Sequence, residues 1–128
     1  MVKAITKNIE VIVDCKYHST QSNPKENLYF FIYQITIINK SDYTIKLLKR
    51  HWEIVDSNGE KRTVDGEGVV GETPVIEVGE QFQYASGCNL QTEIGIMRGF
   101  YTMVRLVDNI EFTIEIPRFN LIVPAKLN

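Results

Sequence analysis

No stretch of this 128-residue chain spaces its apolar residues with the period of an α-helix over ten or more positions. Short runs rich in β-branched and aromatic residues alternate instead with turn residues such as Asn58-Gly59. The strongest run, residues 28–39, is apolar on both faces and predicts a central strand. About six to nine such strands favour an all-β sandwich over β-α-β units, and the length predicts one domain over residues 1–128.

The strands can be placed one by one from their alternation and from the turns between them. Predicted strands cover residues 9–15, 28–39, 43–55, 60–64, 75–78, 81–86, 99–107 and 111–116. Residues 88–97 are predicted to form a loop, and Pro117 is predicted to end the last strand because proline cannot donate to a ladder. Residues 118–128 are interpreted as a tail with room for one short edge strand.

Two aromatic residues indicate the kind of sandwich. An immunoglobulin-like sandwich has a core tryptophan on its third strand and a corner tyrosine two residues before a core position on its sixth. Trp52 and Tyr101 fit these places, with Met103 where a disulfide-bearing domain would have cysteine. Tyr101 is therefore either a corner tyrosine or an ordinary strand tyrosine. The predicted fold class is an immunoglobulin-like antiparallel β-sandwich of about seven to nine strands.

The glycines cluster at one place, where Gly66, Gly68 and Gly71 form the pattern G-x-G-x-x-G. A dinucleotide-binding fingerprint of this kind needs an α-helix that begins at the last glycine. Residues 72–79 contain Pro74, a further glycine and several β-branched residues, so no helix is predicted there. One interpretation is then purely structural: the glycines form a crossover between two sheets, where positive φ or close backbone approach is needed.

The other interpretation is an anion site at the same glycines. Successive N–H groups of residues 66–71 could form a nest for a phosphate, with guanidinium groups supplied by Arg50 and Arg98. The nearby carboxylates would oppose a phosphate unless a divalent cation such as Mg²⁺ lay between them. Replacement of Gly68 by a β-branched residue is expected to abolish such binding and to leave the fold intact.

Other chemistry is poorly supported. The two histidines, His18 and His51, and the two cysteines, Cys15 and Cys88, have no metal-ligand spacing and no nucleophile motif. We therefore predict no catalytic residue, no metal site and no cofactor. A net charge of −2 argues against nucleic acid or an anionic membrane as a partner. No signal peptide or membrane-spanning run is visible, so a cytoplasmic location with reduced thiols is expected.

Four separated motifs together resemble one known family. They are Arg50-His51-Trp52, Gly66-x-Gly68-Val69-Val70-Gly71-x-x-Pro74, Tyr84-x-Ser86-Gly87-Cys88 and Met97-Arg98-Gly99-x-Tyr101-x-Met103. Their order and spacing resemble the ApaG family, also called CorD, over nearly the whole chain. The resemblance implies a fibronectin type III-like sandwich and an association with cobalt and magnesium efflux or resistance. It also implies a pyrophosphate or nucleotide site, which would fall on Gly66, Gly68 and Gly71.

Two functions remain open at this point. The first is a non-enzymatic interaction module that docks a protein partner through exposed strands and the glycine loop. The alternative is a binder of a phosphorylated small molecule, such as pyrophosphate or a nucleotide, with or without Mg²⁺. An enzyme acting on a nucleotide is disfavoured because no nucleophile or general base can be placed. A homodimer formed through a half-apolar edge strand is also left open.

Overall fold

The structure is a computed structural model that describes residues 1–124. Within that range the chain forms nine β-strands and no α-helix, with single 3-10 turns at Ser19–Gln21 and Pro24–Glu26. The strands are β1 Val2–Thr6, β2 Ile9–Tyr17, β3 Tyr29–Asn39, β4 Ile45–Asp56, β5 Lys61–Glu67, β6 Val75–Ile76, β7 Gln81–Leu90, β8 Ile94–Arg105 and β9 Glu111–Ile122. The predicted all-β fold of seven to nine strands is confirmed.

Two antiparallel sheets pack face to face. One sheet has the order β1-β2-β3-β7, and the other has the order β5-β4-β8-β9, with β6 paired to the start of β4. At one side the sheets approach each other, where the Glu115 N–H of β9 donates to Thr6 Oγ1 of β1 over 3.1 Å. The opposite side is bordered by β5 and β7, the outermost strands there.

The core is built from alternate residues of each strand. In β3, the run predicted to be central, the inward residues Phe31, Tyr33, Ile35 and Ile37 are buried while their neighbours are only partly covered. Tyr33 of one sheet packs against Trp52 of the other with ring centroids 5.4 Å apart, and Phe119 lies 6.0 Å from Trp52. Such aromatic contacts add to the burial of apolar surface that stabilises the sandwich.

Tyr101 is fully buried, but it is not a corner tyrosine. Its hydroxyl lies 2.5 Å from the hydroxyl of Tyr84 on the other sheet, so the bond joins the two layers. A corner tyrosine would bond to backbone near its own strand. Burial raises the pKa of both phenols, which keeps them neutral and able to share the hydrogen bond. Of the two interpretations of Tyr101, the strand tyrosine is the correct one.

The predicted loop at residues 88–97 is wrong. Strand β7 continues to Leu90, and β8 already begins at Ile94. Cys88 and Leu90 are buried and Asn89 is exposed, so the strand alternation is present but short and interrupted by small polar residues. The first strand β1 was also missed, because it is a short run with mostly exposed residues.

Pro117 does not end the last strand. Met97 pairs with Phe119 and Gly99 pairs with Ile116, so Pro117 and Arg118 together lie opposite a single residue of β8. This is a β-bulge, in which proline is tolerated because the ladder is locally interrupted. Strand β9 therefore runs on to Ile122. The predicted edge strand in the tail is thus part of β9, and residues 125–128 lie outside the described residues.

Candidate functional site

The glycine cluster lies along one edge of the second sheet. Strand β5 pairs with β4 as far as Gly66 and Glu67, and β6 pairs with the start of β4. The intervening segment therefore joins two strands on the same edge. The structural interpretation placed a crossover between the two sheets here, and that part of it is wrong. As predicted, no helix follows Gly71 within the residues that the structure describes.

Residues 68–72 form a tight hairpin with a two-residue turn, here called the glycine hairpin. The Val69 N–H donates to the Glu72 carbonyl over 2.8 Å, and the Glu72 N–H donates back over 2.9 Å. Val70 and Gly71 occupy the turn with φ of 44° and 80°, which is typical of a type I′ turn. At the base of the hairpin the Gly68 N–H donates to the Leu48 carbonyl over 2.8 Å.

Gly68 is required by both conformation and space. Its φ is +59°, and a Cβ added there would lie 2.0 Å from the Glu72 carbonyl oxygen. The expectation that a β-branched residue at Gly68 would leave the fold intact is therefore wrong. Gly71 differs, because a Cβ there would have nothing within 4 Å. Positive φ and close approach are the requirements that the structural interpretation named.

Arg50 fastens the hairpin from the inner face of β4. A β-bulge at Leu48 shifts the register, since Leu47 pairs with Met103 and Lys49 with Thr102. Arg50 then pairs with Tyr101 on the inner side, half-buried, and Nη1 donates to the carbonyls of Glu67 (3.0 Å) and Gly68 (2.8 Å). These hydrogen bonds are here called the Arg50 clamp.

Gly66 makes room for the Arg50 clamp. A Cβ on Gly66 would lie 2.6 Å from Nη2 of Arg50 and 2.7 Å from the central guanidinium carbon. The guanidinium therefore lies flat against the Gly66 backbone. Of the five residues predicted for an anion site, the structure brings Gly66, Gly68 and Arg50 together, with Gly71 at the hairpin tip.

Arg98 lies elsewhere. It pairs with Glu53 on the outer face of the sheet, opposite to the face that holds Arg50, and its Nε donates to Glu53 Oε2 over 2.8 Å. That hydrogen bond and the nearby Lys61 lower the pKa of Glu53 below its ordinary value. Arg50 and Arg98 therefore do not converge on one ligand.

The outer face also carries a polar cluster that the sequence did not suggest. His51 Nδ1 lies 2.5 Å from Asp65 Oδ1, and the imidazole stacks on Phe100 with centroids 4.8 Å apart. His51 and Phe100, together with Arg98, Glu115 and Arg118, border a shallow depression of about 370 Å³. Their adjacency depends on β4 pairing with both β5 and β8, a register that local pattern does not reveal.

The two thiols are not placed for reaction. Burial raises the pKa of Cys15 to about 12, and burial also raises that of Cys88, although Arg62 Nη2 lies 3.5 Å from its sulfur. Cys88 is a small core residue. Across residues 1–124, no three His, Cys, Asp or Glu side chains are grouped so that they could hold a metal ion.

The residue that sequence reasoning overlooked is Val70. Its side chain is 54% exposed at the tip of the glycine hairpin, while its neighbour Val69 is fully buried beneath. A β-branched residue at positive φ is a backbone outlier, and such outliers cluster at functional positions. The only signal in the sequence is the unusual placement of valine beside glycine in a turn.

The two packed sheets and the clamped hairpin define an immunoglobulin-like β-sandwich domain with a glycine-rich edge loop. The domain model that describes the ApaG domain matches residues 19–105, and the chain belongs to the ApaG family. Protein ApaG of Brucella canis is 48% identical over 126 residues, covering 98% of this chain and 96% of the relative. Protein ApaG of Brucella abortus is 47% identical with the same coverage.

Solved structures agree with this assignment. The crystal structure of a protein described as ApaA from Bordetella pertussis superposes with a TM-score of 0.87 at 39% identity, covering 91% of this chain and 94% of that one. A second X-ray structure, from a structural genomics consortium, gives a TM-score of 0.85 at 44% identity and covers 91% and 88%. Among the described residues, no helix is long and apolar enough to cross a bilayer.

Proposed function

We propose that this ApaG-family chain is a non-enzymatic interaction module that presents the glycine hairpin to another protein. The observation that carries the proposal is Val70, a strained and half-exposed apolar side chain at the tip of a tightly bonded turn. Holding a β-branched residue at positive φ costs about 1–3 kcal/mol. A fold retains such strain when the surroundings enforce it, and contact with a partner is a reason to retain it.

The surroundings make the tip rigid. Two backbone hydrogen bonds close the hairpin, and the Gly68 N–H at its base donates to the Leu48 carbonyl. The Arg50 clamp binds the carbonyls of Glu67 and Gly68, which precede the turn. A side chain fixed before binding loses little conformational freedom when a partner covers it. The same edge carries two further exposed valines, Val64 on β5 and Val75 on β6. Together they support a partner with an apolar pocket or groove.

A phosphorylated small molecule, such as pyrophosphate or a nucleotide, is the second candidate. One observation favours it: the guanidinium of Arg50 lies against Gly66 at the start of the loop. The amides of Gly68, Val69 and Glu72 already donate to carbonyls, and Nη1 of Arg50 does as well. Anion binding at these groups would need the hairpin to open first. This requirement is why we prefer the protein partner.

The association with cobalt and magnesium efflux or resistance that the resemblance implies would then run through protein contact. It requires no catalytic step by this chain. Cytoplasmic location is part of the same proposal, because the partner would be met there.

A matched pair of variants tests the proposal. Val70→Asn removes the apolar tip with a residue that tolerates positive φ, whereas Val107→Asn removes an exposed valine on the separate β8–β9 turn. Both baits and the wild type are used to capture proteins from a lysate of the native cell, with quantification by mass spectrometry. We expect one protein, in stoichiometric amount, to be lost with Val70→Asn and kept with Val107→Asn. Equal capture by all three baits would reject the hairpin as the contact.

The phosphate candidate is separated by a melting experiment. Wild-type protein is heated with pyrophosphate and with nucleotides, each with and without Mg²⁺. A ligand present at 100 times its Kd adds about 2.7 kcal/mol to the free energy of unfolding and shifts the melt by several degrees. A shift that disappears in Arg50→Lys would favour the phosphate candidate over the protein partner.

A further inference from the structure

The β5 edge, residues 61–67, is the outermost strand of its sheet, and it has a self-complementary charge pattern. It begins with Lys61 and Arg62 and ends with Asp65 and Glu67. Natural edges are often protected from pairing by charged side chains, lysine above all. This edge is positive at one end and negative at the other, so an antiparallel copy would align opposite charges.

The hydrogen-bond pattern with β4 shows which groups of β5 point to the free edge. The Asp56 N–H donates to the Glu60 carbonyl and the Gly68 N–H donates to the Leu48 carbonyl. Hydrogen-bonded pairs alternate along an antiparallel ladder, so the even-numbered residues of β5 face β4. The odd-numbered residues therefore direct their backbone N–H and C=O groups away from β4, toward the free edge of the sheet. These residues are Lys61, Thr63, Asp65 and Glu67.

One end of this edge is already occupied. The Glu67 carbonyl already accepts a hydrogen bond in the Arg50 clamp, and the glycine hairpin begins at the next residue. The three remaining edge residues are Lys61, Thr63 and Asp65, and all three are exposed. Lys61 and Asp65 lie symmetrically on either side of Thr63.

We propose that two copies of this chain associate through their β5 edges, antiparallel and centred on Thr63. Thr63 would face Thr63 of the second copy, and each Lys61 would face the Asp65 of the other. The three edge residues of each copy would donate their N–H groups and accept at their carbonyls, in the pattern of an antiparallel ladder. The contact is isologous, as in most two-fold dimers. A register centred on Val64 would instead need the Glu67 carbonyl that Arg50 already holds.

The side chains at this contact are compatible with it. The side chains of Lys61 and Asp65 are 50% and 71% exposed, and both project from the outer face. Lys61 Nζ is 3.4 Å from Glu53, a loose contact that leaves it able to turn toward a second carboxylate. Asp65 uses Oδ1 toward His51, which leaves Oδ2 for the facing lysine. Opposite charges across a strand pair stabilise it modestly, and they also select the register.

Sedimentation velocity from micromolar to millimolar protein tests the association, and Thr63→Pro tests its route. Proline at position 63 removes an N–H that points to the free edge and leaves the ladder to β4 in place. We expect the dimer Kd to rise at least tenfold in Thr63→Pro. Lys61→Asp should weaken the dimer as well, and the double exchange Lys61→Asp with Asp65→Lys should restore it. A wild type that is monomeric at every concentration, or a dimer unaffected by Thr63→Pro, would overturn the proposal.

Cysteine cross-linking tests the register independently of any folding defect. Thr63→Cys places two thiols opposite each other, within the Cα separation that a disulfide spans, whereas Val64→Cys places them about two residues out of step. Under mild oxidation we expect a covalent dimer from Thr63→Cys and little from Val64→Cys or from the wild type, whose cysteines are buried or half-buried. Preferential cross-linking of Val64→Cys would overturn the register centred on Thr63.

Discussion

The glycine hairpin and the β8–β9 turn at residues 106–110 are both fastened by an arginine, but the groups that accept its hydrogen bonds differ. Arg50 donates to two backbone carbonyls. Arg105 donates two hydrogen bonds, from Nε and Nη2, to the carboxylate of Asp108, three residues away. Its guanidinium lies 4.4 Å from the centre of the Tyr43 ring. The non-glycine residue with a positive φ also differs: it is Val70 in the glycine hairpin and Asn109 in the β8–β9 turn.

This difference separates a turn that satisfies local rules from one that does not. Asparagine accepts a positive φ readily, so the backbone of the β8–β9 turn is not strained at Asn109. Valine resists that conformation, so the glycine hairpin depends on long-range contacts from β4. The strain in one turn and its absence in the other are the reason for locating function at the glycine hairpin.

The largest expected effect comes from Gly68→Val. The added Cβ would collide with the Glu72 carbonyl, and the positive φ would be strained as well. We expect the free energy of unfolding, measured in urea, to fall by about 3 kcal/mol or more. Gly71→Ala is the matched control: its Cβ meets nothing, so only the backbone cost of about 1–2 kcal/mol applies. Similar losses in both variants would contradict the close approach at Gly68.

Arg50→Ala should have the next largest effect. It leaves the carbonyls of Glu67 and Gly68 without a charged donor, at a half-buried position. The expected loss is about 2 kcal/mol of unfolding free energy. Because carbonyls do not titrate in this range, the loss should be the same at pH 4 and pH 7. A loss that varies with pH would mean that Arg50 has an acidic partner instead.

Val70→Asn should move stability in the other direction. Asparagine removes most of the strain at φ 44°, so the melting temperature should rise, with a gain of about 1 kcal/mol. Val75→Asn is the control, because Val75 is exposed to a similar extent and has an ordinary strand conformation. A stabilised Val70→Asn that loses its partner would show a trade of stability for binding.

The smallest effect is expected at Asp108. The hydrogen bond from Arg105 lowers the pKa of Asp108 below its ordinary value of 3.8. A lowered folded-state pKa stabilises the fold above the ordinary value, and this contribution is lost as pH falls through the folded-state pKa. The difference in unfolding free energy between wild type and Asp108→Asn should therefore be largest near neutral pH and shrink below about pH 4. A difference that grows on acidification would contradict the ion pair.

Much of the fold followed from local pattern, because alternation and turn residues report directly on strands. The absence of a helix after Gly71 was also predictable, since Pro74 and β-branched residues forbid it. The Pro117 bulge was not, because it depends on the register with which β9 pairs with β8. The site shows the same division. Gly66, Gly68 and Arg50 were found as a group, but the opposite facing of Arg98 depends on register. The strain at Val70 is invisible locally, since contacts from β4 impose it.

The contact between Thr6 and β9 limits how the sheet that contains β4 can grow. With the Glu115 N–H already bonded to Thr6, that side of the sheet is a poor template for another strand. Extension can start at β5, and a two-fold contact there uses the same edge from both molecules. Polymerisation along this sheet would therefore terminate after one addition. A chain whose regular structure over residues 1–124 is β-strand apart from two 3-10 turns would in this way be kept from seeding fibrils by that route.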